Sequence, residues 1–364
     1  MVHAGIFRWL LLFLLSSIHL CAQQAAKLPK QEQIHSLIRF YAEEKKFNGN
    51  VLIAEYGEII YENAIGWADI KNNEGLTLST PFYLASISKS FTSLCVMMLK
   101  EEAKLDYNDK IYMYFPELGA PAKKISIRNL LQHTSGLPAY IKMGWDEPGL
   151  TNAQLYGKLI NNVNQLKFKP GYKFRYNNTG YVLLALIVEK ASGVPFYAFV
   201  KNRICKPLGM KNTWVYDLRV PERNKPGRAI GYRSNLKKTD DYYLLTWGDG
   251  GIYSSIEDLF ILDRALYSEK LVSAKTLEEA YTPVALVNGA TKNYGFGWVI
   301  GNNLNGKTVS HTGGLAGFRN YFERQIDVEN TIIILTNTNN NYITEMRNIL
   351  VKILDGRSYV FPEN

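Results

Sequence analysis

Beyond residue 28, the apolar positions follow first a helical period and then a strand period. Four apolar residues share one helical face through i, i+3, i+4, i+7 spacing: Ile34, Leu37, Ile38 and Tyr41. Two short apolar runs, 51–54 and 59–61, flank a turn at Tyr56-Gly57 and are typical of a β-hairpin. The sequence therefore predicts a helix followed by a hairpin.

Helical periodicity dominates the middle of the chain. One apolar helical face consists of Phe91, Leu94, Cys95 and Met98. A second apolar helix is predicted over residues 181–191, because Gly193 and Pro195 follow it and neither continues a helix easily.

From about residue 292 the strand pattern returns. Strands are predicted over residues 294–300, 307–312, 318–324 and 331–336, and a closing helix over residues 344–354. Strands at both ends of the chain with helices between them indicate an α+β fold: an antiparallel β-sheet flanked by helices, with an inserted, mostly helical lobe.

The same pattern divides the chain into lobes. We expect a single domain over residues 23–364. Its α/β lobe consists of about residues 28–84 and 290–364, and its helical lobe of about residues 85–289.

Residues 1–22 have the composition of an export signal. Arg8 precedes an apolar run over residues 9–20, which is shorter than the roughly 20 residues that span a bilayer. We expect cleavage after Ala22 and a secreted or periplasmic protein without a stable membrane span. A lipid anchor on Cys21 is the less favoured alternative, because Leu20 is larger than the residue expected before a lipidated cysteine.

Charge and composition exclude several classes of partner. The formal net charge is +9, but Lys and Arg are scattered along the chain, so no nucleic-acid partner is expected. The basic surface suits an anionic partner and ordinary solubility equally well. With 46% hydrophobic residues, the chain is expected to bury a sizeable core.

Cysteine and histidine are sparse. Cys95 and Cys205 remain after the expected cleavage, and a disulfide between them is allowed but not required. His35, His133 and His311 show no metal-ligand spacing. No metal and no cofactor are expected.

Ser86 and Lys89 lie three residues apart at the start of a predicted helix that runs to about residue 99. This spacing lets Lys89 Nζ approach Ser86 Oγ. A neutral lysine takes the serine proton, and both burial and the helix N-terminus disfavour its ammonium form. The same spacing recurs at Ser234 and Lys237 in a polar stretch, so it is weak evidence alone.

Tyr176 and Asn178 precede the second apolar helix. A phenol near a lysine relays a proton, and a side-chain amide holds a substrate carbonyl. Tyr61 and Asn63 repeat this spacing in the hairpin, where a surface position is expected.

A third motif, His311-Thr312-Gly313-Gly314, ends a predicted strand. Paired glycines allow the close approach of a ligand and leave the Gly314 N–H available to an oxyanion.

The order of the three motifs is more specific than any one of them. A Ser-x-x-Lys at a helix start, a loop Tyr-x-Asn and a strand His-Thr-Gly resemble the serine β-lactamase and penicillin-binding-protein superfamily. Five flanking segments are similar to its class C β-lactamase-related branch: residues 81–86, 130–138, 193–196, 206–210 and 250–255. The resemblance extends from about residue 34 to residue 354.

The resemblance implies a role for each motif. It makes Ser86 the nucleophile, Lys89 its base and Tyr176 the proton relay to the leaving group. The oxyanion hole would consist of the N–H groups of Ser86 and Gly314. Substrate contacts are expected from Asn178, His311, Thr312, Gly313 and Gly314.

His311 departs from the lysine usual in class C β-lactamases. Lysine provides a fixed cation for a substrate carboxylate, whereas histidine at neutral pH mostly does not. The chain therefore looks more like the esterase, D-aminopeptidase and DD-peptidase-like members of the branch.

Two other motifs are rejected. Residues 301–308 match a phosphate-binding P-loop string, but Asn305-Gly306 predicts a hairpin turn and Lys307 begins a strand instead of a helix. No Gly-x-Ser-x-Gly elbow accompanies the histidines, which argues against a Ser-His-Asp hydrolase. His133 is expected to shape the loop beside the cleft. Ser135 and Tyr140 are either cleft-lining, with Tyr140 as a candidate substrate contact, or purely structural.

The sequence thus predicts a secreted serine hydrolase. Its substrates would be small esters or D-amino-acid-containing peptides and amides, with the peptidoglycan stem peptide as one candidate. The alternatives are a β-lactamase and, from another class, a non-hydrolytic penicillin-binding sensor or cell-wall-binding protein.

Overall fold

The computed structural model describes residues 28–44, 47–220, 225–233, 237–239, 244–339 and 342–362. The predicted export signal, the alternative lipid site at Cys21 and Ser234 of the recurring Ser-x-x-Lys string lie outside the described residues.

The helices of the described residues are α1 (Lys30–Glu43), α2 (Ser88–Glu101), α3 (Ile127–Leu131), α4 (Asn152–Asn162), α5 (Asn178–Ser192), α6 (Phe196–Val200), α7 (Lys206–Leu208), α8 (Ile256–Ala265), α9 (Ala274–Ala280) and α10 (Ile343–Leu354). A π-helical turn, Lys201–Cys205, joins α6 to α7. Short 3₁₀ turns are Ala85–Ile87, Ile111–Met113, Pro116–Leu118, Tyr140–Met143 and Ile326–Val328.

The strands are β1 (Gly49–Glu55), β2 (Glu58–Ile65), β3 (Trp67–Asp69), β4 (Glu74–Gly75), β5 (Phe82–Tyr83), β6 (Trp214–Val215), β7 (Ile252–Ser254), β8 (Val284–Ala285), β9 (Thr291–Lys292), β10 (Val299–Asn303), β11 (Gly306–Leu315), β12 (Phe318–Gln325) and β13 (Asn330–Thr336).

A six-stranded antiparallel sheet carries the fold. Its spatial order is β10-β11-β12-β13-β1-β2, so both ends of the chain contribute and meet where β1 pairs with β13. A smaller sheet of order β5-β7-β6 lies in the part of the chain between β2 and β10. The predicted α+β fold, an antiparallel sheet flanked by helices, is confirmed.

The central strand β1 is buried on both faces. Val51 and Ile53 pack into a cluster with α1 and α10, whereas Leu52 and Ala54 belong to the larger core around α2 and α5. Side chains alternate across a strand, so a continuous apolar run is needed where both faces are covered. This explains why residues 51–54 show no polar alternation.

Helix α2 lies at the centre of the larger core. Every residue from Ser88 to Leu99 is buried, which is typical of a helix enclosed on all sides. Its main helical neighbour is α5, which ends at Gly193 in the left-handed conformation (φ 75°). The predictions of α1, the β1–β2 hairpin, α2, α5 and α10 are confirmed to within a few residues.

The strand predicted over residues 294–300 is wrong for its first five residues, since β10 begins only at Val299. Gly295 and Gly297 explain the difference. A Cβ on Gly295 would lie 1.9 Å from the Ala280 oxygen, and one on Gly297 would lie 2.7 Å from the Lys89 oxygen. The segment is therefore a tightly packed turn against α9 and α2.

The P-loop-like string forms a hairpin, as predicted. Asn303 pairs with Gly306, so the two turn residues are Leu304 and Asn305, one position earlier than the sequence indicated. A strand follows the string where a phosphate-binding loop requires a helix.

Candidate active site

A strained turn presents Ser86. The turn Ala85–Ile87 connects β5 to α2, and Ala85 has φ 48°, in the left-handed region that non-glycine residues rarely adopt. Such a conformation costs on the order of 1 kcal/mol and persists where the surrounding structure fixes it. Ser86 is the partly exposed residue of this turn and lines an open cleft of about 520 Å³.

Lys89 reaches the same point from the first turn of α2. Its side chain is fully buried, and Nζ donates hydrogen bonds to Ser86 Oγ (3.0 Å) and to the main-chain oxygen of Asp249 (2.8 Å). Nζ also lies over the rings of Tyr176 (5.0 Å to the centroid) and Tyr181 (5.6 Å). Lys89 is thus held against the serine hydroxyl in a buried position between aromatic rings.

Tyr176 closes the other side of the cleft. Its side chain is partly exposed, lines the cleft, and packs its ring on His133 with 4.3 Å between centroids. The His311 ring is 6.1 Å away. The ring of Tyr176 therefore lies beside Lys89 Nζ and at the surface of the cleft.

Asn178 is the first residue of α5 and, unlike Tyr176, is not part of the cleft surface. Its Oδ1 is buried and has no hydrogen-bond partner among the described residues. The side chain is half-buried and does not line the cleft. The neighbouring Asn177 caps the helix by accepting a hydrogen bond from Thr179 N (2.9 Å).

Strand β11 forms the remaining wall. His311, Thr312 and Gly314 line the cleft. β10 pairs only with residues 306–310 of β11, and its last pair is Val299 with Ser310. On that side, no described strand pairs with β11 from His311 onward, so this part of its edge is open towards the cleft.

Gly313 does not line the cleft and packs the other way. A Cβ there would lie 2.0 Å from the Leu84 oxygen and 3.5 Å from Ala85 Cβ. The glycine thus lets β11 approach the turn that carries Ser86. We attribute its presence to this close contact with the backbone.

His311 is neutral. Burial, followed by the nearby Lys89, lowers its pKa to about 3. Its Nδ1 donates to the Thr312 oxygen (2.6 Å), so Nε2 accepts from the Tyr294 hydroxyl (3.2 Å). The position at which the resemblance to class C β-lactamases leads us to expect a lysine is therefore uncharged here.

His133 is the second buried imidazole beside Lys89. Its Nδ1 accepts a hydrogen bond from Asn177 N (3.1 Å), so Nε2 carries the proton, and that atom has no partner among the described residues. Burial, then Lys89 and His311, lower its pKa well below the ordinary value. Its backbone also adopts φ 57°, in agreement with a loop-shaping position.

Tyr140 requires a correction. The sequence proposed it as a substrate contact, but its side chain is fully buried and its hydroxyl donates to Asp249 Oδ2 (2.7 Å). Ser135 is also buried. Both therefore lie behind the cleft surface, because the loop that carries them folds inward against α5 and the Asp249 loop.

Several residues that line the cleft were not predicted from the sequence. Phe174, Lys292, Asn293, Tyr294 and Val299 all line the cleft. Tyr294 lies in the segment wrongly predicted as a strand, which concealed its position. Phe174 lies two residues before Tyr176, and this short separation is the signal in the sequence that could have placed Phe174 at the cleft.

Asp249 was also missed. Residues 250–255, one of the segments that resemble the class C β-lactamase-related branch, begin directly after Asp249. The resemblance therefore did not include Asp249 itself.

Comparison with known proteins decides the family. Residues 34–352 match the family model described as Beta-lactamase. The chain belongs to the β-lactamase family. Penicillin-binding protein 4* of Bacillus subtilis (strain 168), a similar relative, is 37% identical over 359 residues that cover 93% of this chain and 79% of the relative.

Solved structures agree with this family. The octameric penicillin-binding protein homologue from Pyrococcus abyssi has a TM-score of 0.79 at 26% identity, with 90% of this chain and 78% of that chain covered. A class C β-lactamase has a TM-score of 0.75 at 21% identity, with 92% and 97% covered, and supports the fold alone.

Two further findings concern the described residues of this β-lactamase-family chain. Within them, no individual helix combines the length and apolar composition that crossing a membrane requires, although the bent pair Asn178–Ser192 and Phe196–Leu208 meets that test by length and composition. Cys95 and Cys205 are both free thiols in the core.

Proposed function

We propose that the chain is a serine hydrolase in which Ser86 forms an acyl-enzyme. The observation that carries this proposal is the 3.0 Å contact between Lys89 Nζ and Ser86 Oγ beside an open cleft. A hydroxyl becomes an effective nucleophile when a base lies within hydrogen-bond reach. The buried amine of Lys89 satisfies that geometric requirement.

The reaction has two steps. Ser86 Oγ attacks the substrate carbonyl carbon while its proton passes to Lys89 Nζ, and a tetrahedral intermediate forms. The intermediate collapses when the leaving group departs with a proton from the Tyr176 hydroxyl, which Lys89 restores. Water then attacks the ester carbonyl of the acyl-enzyme and releases the acid.

Hydrogen-bond donors must stabilise the negative charge of the tetrahedral intermediate. The N–H groups of Ser86 and Gly314 are our candidates, since both residues line the cleft and the β11 edge from His311 onward is open on that side. Preorganised backbone donors of this kind contribute several kcal/mol to acyl transfer. Thr312 is the candidate side-chain contact to the substrate, because it lines the cleft, whereas Asn178 does not.

The substrates that fit are small esters and D-amino-acid-containing peptides or amides. Neutral His311 supplies no fixed cation for a β-lactam carboxylate, so we propose weak β-lactam turnover. The peptidoglycan stem peptide is the candidate natural peptide. Secretion or periplasmic location after removal of residues 1–22 stays a prediction from the sequence and would give access to it.

A turnover panel tests the proposal. Purified protein is assayed with p-nitrophenyl esters, D-alanyl amides, acyl-D-Ala-D-Ala and a chromogenic cephalosporin, with Ser86→Ala as the control. We expect steady-state hydrolysis of an ester or D-alanyl substrate that Ser86→Ala abolishes. Equal rates for both proteins would contradict the proposal.

A second function is favoured by the name of one relative, a penicillin-binding protein. A sensor would be acylated by penicillin and would not release the product. Such a protein gives one stoichiometric burst of product and no steady state across the whole panel. Sustained turnover on any substrate excludes it.

A further inference from the structure

Asp249 lies directly behind Lys89 on the loop that leads into β7. Its main-chain oxygen accepts the second hydrogen bond of Lys89 Nζ, in addition to the bond that Nζ makes to Ser86. Its side chain is 5% exposed. The residue therefore contacts the base of the proposed mechanism without lining the cleft.

The loop that carries Asp249 is fixed by close contacts. A Cβ on Gly250 would lie 2.6 Å from the Tyr83 hydroxyl, and Gly251 N donates to that hydroxyl (3.2 Å). Gly251 has φ 80°, which glycine adopts without strain. These contacts hold Asp249 beside Lys89.

The carboxyl group of Asp249 is only half satisfied. Oδ2 accepts a hydrogen bond from the Tyr140 hydroxyl (2.7 Å), whereas Oδ1 is buried with no partner among the described residues. Leaving a carboxylate oxygen unpaired in the interior is costly unless a charge compensates it. Among the groups that lower the pKa of this carboxyl, Lys89 has the largest effect.

The Asp249 carboxyl group differs in charge from the other groups around Lys89. Ser86, Tyr176 and Tyr181 contact Lys89 Nζ with their side chains, and Asp249 contacts it through its main-chain oxygen. The side chains of His133, His311 and Asp249 are close enough to interact with Lys89 electrostatically. Both histidines are neutral because burial lowers their pKa values. The pKa of the Asp249 carboxyl group is raised above its ordinary value, because burial outweighs the opposing effects of Lys89, Tyr140 and Thr246. Of the groups around Lys89, this carboxyl is the one whose ordinary pKa lies well below neutral, and so the one that can supply a negative charge.

We propose that Asp249 is a positioning residue whose carboxylate supplies the counter-charge for the ammonium formed on Lys89. The proposal rests on the proposed function of Ser86 and Lys89. When Ser86 Oγ bonds to the substrate carbonyl carbon, its proton moves to Lys89 Nζ and the carboxylate keeps its charge. Tyr140 holds the carboxylate in place, and so acts through Asp249.

The charge interaction can be measured without catalysis. In protein labelled with ¹³C at lysine Cε, the Lys89 resonance is identified with Lys89→Arg and followed against pH. We expect Asp249→Asn to lower the pH at which Lys89 deprotonates by about one unit or more, because an opposite charge favours the ammonium form. Asp258→Asn, which changes another buried carboxyl on α8, is the matched control and should leave it unchanged.

Loss of the counter-charge should also change how kcat/KM depends on pH. Asp249→Asn should lower kcat/KM for a p-nitrophenyl ester at least about tenfold at its optimum and move the acid limb to lower pH. Tyr140→Phe should cause a smaller loss. Added to Asp249→Asn, it should cause no further loss, because its hydroxyl acts on the carboxylate.

The two measurements separate this inference from the proposed function. An unshifted Lys89 titration in Asp249→Asn overturns the counter-charge whatever the esterase assay shows. A shifted titration with no Ser86-dependent turnover retains the counter-charge and overturns the hydrolase. If Asp249→Asn does not fold, an unshifted Lys89 titration in Tyr140→Phe, together with full kcat/KM, overturns the proposal.

Discussion

Gly313 on β11 packs directly against the main-chain carbonyl of Leu84, two residues before Ser86. A Cβ at position 313 would lie 2.0 Å from that oxygen. The contact fixes the distance between the open strand edge and the turn that carries the serine. Two motifs far apart in sequence thus depend on one backbone contact.

Gly313→Ala should therefore displace β11 from the Ser86 turn. We expect a loss of about 1–3 kcal/mol in the free energy of unfolding and a fall in kcat/KM, because overpacked sites force the backbone to move. Gly157→Ala is the matched control. A Cβ there meets nothing within 4 Å, and alanine in α4 should stabilise the helix by up to about 1 kcal/mol. Normal stability of Gly313→Ala would contradict the contact.

Lys89→Ala should lower the acylation rate by about 10²–10⁴-fold, the range that a positioned general base contributes. Stopped-flow measurement of the first turnover with a p-nitrophenyl ester separates acylation from product release. Lys100→Ala, at the other end of the same helix, should acylate at the wild-type rate. Unchanged acylation in Lys89→Ala would refute its role as the base.

Tyr176→Phe removes only the hydroxyl. The ring contact with His133 should persist, so we expect an unchanged melting temperature. The loss of the proton relay should reduce kcat/KM by about 10²-fold with amide substrates, whose leaving groups require a proton. Nitrophenolate leaves without one, so the loss with p-nitrophenyl esters should be smaller. An equal loss on both substrates would contradict the relay.

The buried histidines predict a pH dependence of stability. The folded-state pKa of His311 is about 3, below its unfolded value near 6.5, so the unfolded chain binds a proton in this window and the folded chain does not. Stability should fall as pH decreases from 6.5 towards 3, by at most about 1.4 kcal/mol per pH unit from this residue.

Urea denaturation of the wild type and His311→Gln measures this contribution. The glutamine cannot bind the proton, so its free energy of unfolding should decline less steeply between pH 6.5 and 3. Parallel curves for the two proteins would show that His311 is not held neutral.

Much of the fold was predictable because its elements have clear periods. The four apolar residues of α1 mark one face, and the apolar run of β1 identifies a strand buried on both sides. Local spacing also placed Ser86 and Lys89 on one helical turn. These features depend on residues that are close in sequence, where periodicity is informative.

The remaining features depend on distant contacts. Gly295 and Gly297 interrupt an apparent strand because they pack against Ala280 and Lys89, which no local pattern reveals. The burial of Tyr140 follows from its bond to Asp249, 109 residues later. Asp249 is a buried acid outside the three motifs, so the sequence does not indicate that it lies beside Lys89.

The most direct test of the account is the site of acylation. Purified protein is incubated with a fluorophosphonate or a penicillin, digested and analysed by mass spectrometry. We predict one acyl or phosphonyl mass on the peptide containing Ser86, retained in Ser88→Ala, which changes a fully buried serine two residues along. Equal labelling of the wild type and Ser86→Ala would contradict the assignment of Ser86 as the nucleophile.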